Sequence, residues 1–164
     1  MINAIEKNLH RGIKLLNTIA DKEYSDVTIP PYFSSIGCHT RHILDMFSCV
    51  FKGLENGNID FTNRERNECV ELKCKEGIAY FESILDKLRE LSSDDLTSQI
   101  LITDDLGLGK ETATTTLGAI LMQTNSHTIH HYASIGYIIQ QLDIELPNAD
   151  FGFNPTTPKK VSNY

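Results

Sequence analysis

From Thr115 or Thr116 to about Leu142, the residues Leu117, Ile120, Leu121, Ile135, Ile138, Ile139 and Leu142 keep helical phase, and no proline interrupts the run. A helix of about seven turns has an apolar stripe too long for a loop to cover, so it needs other helices beside it. The chain supplies three more. Ile5, Leu9, Ile13, Leu16 and Ala20 recur at helical spacing, with Asn3 and Glu6 placed as a capping pair. Ile36, Ile43, Phe47, Val50 and Leu54 form a second stripe, capped by Ser34 or Ser35 and stopped at Gly57. Cys74, Ile78, Phe81, Leu85 and Leu88 alternate spacings of four and three, and Thr62 with Glu65 fits a capping box ahead of them.

The connections carry other signals. The stretch 21–33 holds Pro30 and Pro31 without a sustained period and reads as a loop crossing the bundle. Gln99, Ile100, Leu101 and Ile102, followed by Asp and Gly residues, suit a strand or an extended loop. Pro147, Pro155 and Pro158 mark residues 146–164 as an extended C-terminal tail. The expected architecture is all-α: a four-helix bundle with long connections, one domain over residues 1–164.

Charge and cysteine usage narrow the functions. Fifteen Lys and Arg against 22 Asp and Glu leave a formal charge of −7, and the basic residues are scattered. A phosphate backbone needs clustered cations, so nucleic acid is excluded as a partner. No window reaches the apolar length of a membrane span, and the charged N-terminus lacks a secretory apolar stretch; a cytoplasmic protein without a membrane partner is expected. Cys38, Cys49, Cys69 and Cys74 form no Cys-x-x-Cys pair and lie in helical patterns, so they read as reduced, core-filling thiols.

Two histidines fall where an apolar helix face should continue. On a wheel of about 100 degrees per residue, His127 and His131 sit inside the stripe of Leu117, Ile120, Ile135 and Ile138. An imidazole buried without a partner costs about 1–3 kcal/mol, and one ion satisfies both rings at once. Side chains four apart project side by side, which suits two nitrogens meeting at one metal ion. The second helix offers a third ligand, His39 or His42, and its stripe places His39 about 40 degrees from the centre and His42 about 100 degrees from it. His130 points about 100 degrees away from its neighbours and reads as a supporting or surface residue, and His10 as surface.

Residues 35–45, Ser-Ile-Gly-Cys-His-Thr-Arg-His-Ile-Leu-Asp, and residues 127–131, His-Thr-Ile-His-His, resemble in order and separation two segments of the DinB-like superfamily of damage-inducible and YfiT-type proteins. The resemblance implies a four-helix bundle with one metal-binding histidine on the second helix and a His-x-x-x-His pair on a later one. By position it implies His42, His127 and His131 as ligands. His42, followed by Ile43, Leu44 and Asp45, takes the family's position, against the preference of the wheel for His39. Many members continue after the last histidine with Arg-Gly-Gln, where this chain has Tyr132, Ala133 and Ser134.

Three imidazole ligands leave a coordination position open, as at catalytic rather than structural sites, and suit zinc, nickel or iron without choosing among them. Such an ion generates a nucleophile from water, which reads as a metal-dependent hydrolase, or from a thiol. The resemblance favours transfer of a low-molecular-weight thiol to an electrophile and allows a homodimer. The alternative from another class is a stress-associated module that binds metal or a small ligand without turnover. Asp45, one turn after His42, is the candidate general base, with a ligand-orienting role as its plainer reading. Tyr132 and Tyr137 read as ordinary helix aromatics.

Overall fold

The structure, a computed structural model, describes residues 1–158. Four long helices dominate: α1 (Ile2–Leu16), α3 (Ile36–Leu54), α5 (Cys74–Arg89) and α7 (Leu117–Gln141). Helix α1 packs on α5 and α7, and α3 packs on the same two, so four apolar faces close around one core. Leu9, Leu44, Phe47, Phe81, Leu121 and Ile139 are fully buried there. Burying a side chain of this kind contributes about 1.5–3 kcal/mol.

Capping decides where the two site-bearing helices begin. Ser35 Oγ accepts from the Cys38 N–H at 2.9 Å, and Thr116 Oγ accepts from the Ala119 N–H at 3.3 Å. Both caps are among the alternatives that the sequence offers. The other two expected caps are not formed. Helix α1 starts at Ile2, ahead of Asn3 and without a side-chain cap. Thr62 instead bonds the Asp60 carboxylate through its N–H and hydroxyl, while Glu65 pairs with Lys52. Helix α5 takes its cap from far along the chain, since the Asp21 carboxylate accepts from the Cys74 N–H at 2.9 Å.

Shorter elements fill the connections: α2 (Asp21–Tyr24), β1 (Asn58–Asp60), α4 (Cys69–Leu72), α6 (Ser93–Thr97), β2 (Gln99–Asp105) and β3 (Lys110–Thr116). The loop expected over 21–33 thus begins with a helical turn, whose Tyr24 is buried and donates to the Val70 carbonyl at 2.7 Å. Strands β2 and β3 form an antiparallel hairpin, and β1 adds in parallel to β2, pairing Ile59 with Ile102. The all-α expectation is therefore corrected to a mostly helical fold with a small three-stranded sheet. The apolar run 99–102 announces β2. Strand β1 has only three residues and β3 is rich in threonine with little burial, so neither carries a stripe to read.

The stretch after α7 also departs from expectation. Within 146–158 the chain makes turns rather than an extended run, and Phe151 stacks on Tyr132 with ring centroids 4.6 Å apart. The rest of the expected tail, 159–164, lies outside the described residues. The four cysteines are free, as expected, but only Cys49 and Cys74 are buried; Cys69 is exposed. No described helix is long and apolar enough to cross a membrane.

Candidate metal centre

With α3 and α7 set by their caps, His39 and His42 face His127 and His131 across the helix interface. Between the facing turns, the hydroxyls of Thr124 and Thr128 satisfy themselves on carbonyls four residues back, each at 2.9 Å, and leave the histidines to one another. His42 Nε2 lies 2.8 Å from His127 Nε2, which in turn lies 3.0 Å from His131 Nε2. One nitrogen from each of these three rings comes within 4.8 Å of the other two. An ion about 2.0–2.1 Å from each of three tetrahedrally placed nitrogens would hold them roughly 3.3 Å apart.

The cluster extends past the triad at both ends. His131 Nδ1 is 2.8 Å from His39 Nδ1, and His39 Nε2 is 2.9 Å from Ser34 Oγ. At the other end, Arg64 Nη1 is 3.2 Å from His42 Nδ1. The direction of every bond follows from Arg64, because a guanidinium only donates. His42 Nδ1 is then bare and its proton sits on Nε2, which donates to His127 Nε2. His131 Nε2 donates to that same nitrogen, so His131 Nδ1 is bare and accepts from His39. His39 Nε2 in turn accepts from Ser34. This tautomer set, assigned from the hydrogen-bond network, keeps all four rings neutral.

No family model matches the sequence, and no curated protein matches it. Among solved structures, the chain is similar to the crystal structure of a DinB-like protein, YjoA, from Bacillus subtilis, with a TM-score of 0.67 and 23% identity over 90% of this chain and 95% of that one. The chain has a DinB-like fold.

Within this DinB-like fold the electrostatics favour neutral imidazoles. Burial, then His127 and Arg64, pushes His42 down to about 4, and burial with the neighbouring His127, His42 and His39 pushes His131 down to about 3. His39 and His127 are lowered too, by burial first and by His130 second. Neutral rings are the ones that can offer lone pairs to a metal ion.

Each histidine singled out in the sequence has a definite place. His42, His127 and His131 converge, while His39 stands one bond further out, on the outer nitrogen of His131. His130 is exposed, its ring centroid 5.3 Å from that of His131, and His10 is exposed on α1. Asp45 does not serve the histidines. It is buried, bonded by Arg41 at 2.6 Å and by the Tyr80 hydroxyl at 3.3 Å, and burial raises its pKa against the opposing pull of Arg41. Of the two tyrosines read as ordinary helix aromatics, Tyr132 is buried in the core and Tyr137 is exposed beside a pocket. Arg64 and the His39-binding role of Ser34 are not readable from periodicity, since both residues lie in connections.

Proposed function

We propose that this chain binds a divalent metal ion through His42, His127 and His131 and uses it to activate a small thiol or water as a nucleophile. The observation that carries this reading is the meeting of three imidazole nitrogens from two helices, with neighbours 2.8 and 3.0 Å apart. The donor set fits: neutral imidazoles suit zinc, nickel and iron, and three of them leave room for a substrate atom. When bound, such an ion lowers the pKa of a water or thiol so that a nucleophile forms near neutral pH.

The chain's own residues would orient the ligands and the reactants. His39 holds the outer nitrogen of His131, and Ser34 holds His39, which fixes the ring of His131 in place. Two pockets adjoin residues bonded to the triad, and no triad histidine lines either of them. One, of about 310 Å³, is bounded by Arg64 beside His42. The other, of about 370 Å³, is bounded by His39 with Pro30, Pro31, Tyr32 and Tyr137. Pockets beside Arg64 and beside His39 leave room for two small molecules, as transfer of a thiol to an electrophile requires. One observation favours the second reading, a metal- or ligand-binding module without turnover: Asp45, the expected base, is engaged by Arg41 and Tyr80.

Protein purified without an affinity tag should carry about one ion per chain, and His131→Ala should lose it; full metal content in that variant sinks the site. Chelation should lower the Tm, because an ion bound only by the folded state adds about 3–4 kcal/mol at several hundred times Kd. Loss of thiol in the presence of an electrophile, measured beside ester and amide hydrolysis, separates the readings. Equal rates with and without thiol favour hydrolysis, and no turnover in either panel favours the binding module.

A further inference from the structure

The two ends of the histidine cluster differ in one chemical respect. If His131 gives its Nε2 lone pair to an ion, its proton moves to Nδ1, His39 accepts it as a hydrogen bond, and His39 donates onward to Ser34. A hydroxyl donates or accepts with equal ease, so this end of the chain simply reverses. The other end cannot. If His42 gives Nε2 to an ion, Nδ1 carries the proton and faces Arg64 Nη1, which has no lone pair to accept it. The Arg64 bond to His42 and ligation by His42 Nε2 exclude each other.

Arg64 therefore loses this partner whenever the ion is held, and each carboxylate lining the pocket beside it already pairs with another cation. Among the described residues it forms no ion pair; its nitrogen touches His42 and the weakly accepting Met46 Sδ, at 3.3 Å. It lines the 310 Å³ pocket together with Asp45, Asp60 and Glu65. Arg41 engages Asp45, Lys110 engages Asp60, and Lys52 engages Glu65. A half-buried guanidinium beside such a pocket is suited to take a carboxylate with two parallel hydrogen bonds.

We propose that Arg64 is the specificity-determining residue of this pocket: released from His42 when the ion binds, it holds the carboxylate of a small-molecule substrate whose other end reaches the triad. The inference rests on the metal reading above. It also couples the two ligands, since an ion at His42 frees the guanidinium that the carboxylate needs.

The test uses cobalt(II) as the probe ion, read by its visible absorption bands, and two thiols as probe ligands, N-acetylcysteine and its carboxyl-free amide, titrated by calorimetry. The wild-type protein loaded with cobalt should bind N-acetylcysteine about tenfold or more tightly than the amide. Arg64→Gln should bring that ratio close to one, and Arg64→Lys should restore part of it. Cobalt itself should bind Arg64→Gln as tightly as wild type or more tightly, because the competitor for His42 is gone; a residue that merely supported the fold would give the opposite. Weaker cobalt binding in that variant, or a carboxylate preference that survives the substitution, overturns the proposal. Wild type that binds cobalt but shows no preference between the thiols overturns this inference alone, whereas absence of cobalt bands overturns the metal reading and this one with it.

Discussion

Two polar clusters lie side by side along α3, and they solve the problem of burial in opposite ways. Arg41, Asp45, Glu71 and Tyr80 combine opposite charges: Arg41 bonds Asp45 and Glu71, and Tyr80 donates to Asp45. The central pair is well buried, with side chains 13% exposed for Arg41 and 2% for Asp45, and donors meet acceptors throughout. His39, His42, His127 and His131 are alike, no carboxylate among the described residues bonds any of them, and they remain together as neutral rings in one tautomer pattern. The first cluster is complete in itself and has no use for a ligand. The second gathers lone pairs with no carboxylate bonded to them, a donor set that could hold a metal ion rather than a structural ion pair.

The largest effect should come from breaking the self-sufficient cluster. Arg41→Ala leaves Asp45 buried without its cation and should cost about 3–5 kcal/mol of stability in denaturant titration, with metal content per folded chain unchanged. Loss of metal there with little loss of stability would reverse the roles of the two clusters. A smaller effect is expected from His39→Ala, which should weaken metal retention roughly 10–100-fold without abolishing it, as removal of a ligand's outer hydrogen-bond partner does. If His39→Ala loses the ion entirely while His42→Ala retains it, His39 is the ligand and the helical wheel was the better guide.

The smallest effect is on pH dependence, and it sharpens the contrast through its sign. The four histidines have folded-state pKa values below the unfolded value of about 6.5. The unfolded chain therefore binds more protons between that value and about 4 for His42, so stability falls as pH falls through this window. Asp45 is raised, so its own contribution runs the other way, with stability lost as pH rises above the ordinary carboxylate range. Metal-stripped protein should show a Tm that declines from pH 7 to pH 5, and a His42→Gln/His131→Gln variant should show a flatter profile. A flat wild-type profile would mean that these rings titrate as exposed histidines do.

Much of this was readable because it is local. The four long helices announce themselves in apolar phase, and Ser35 and Thr116 cap as short polar residues at helix starts do. His127 and His131 had to share a face because four residues make about one turn. The readings that failed share a cause. The cap of α5 comes from Asp21, 53 residues away, whereas Thr62 and Glu65 matched a pattern that their backbone does not adopt. Strand β1 exists only because β2 lies beside it, and Phe151 is buried only because Tyr132 offers a ring to stack on.

The division between His39 and His42 has the same origin. By itself the sequence determined that both ride on one helix and that a histidine pair shares a face of another, since helix phase is a property of successive residues. Which ring meets the triad, which one supports His131, and that an arginine from the connection between β1 and α4 donates to His42 depend on how two helices and a loop approach one another. Those distances are set by the packing of the whole core, and no local pattern of residues encodes them.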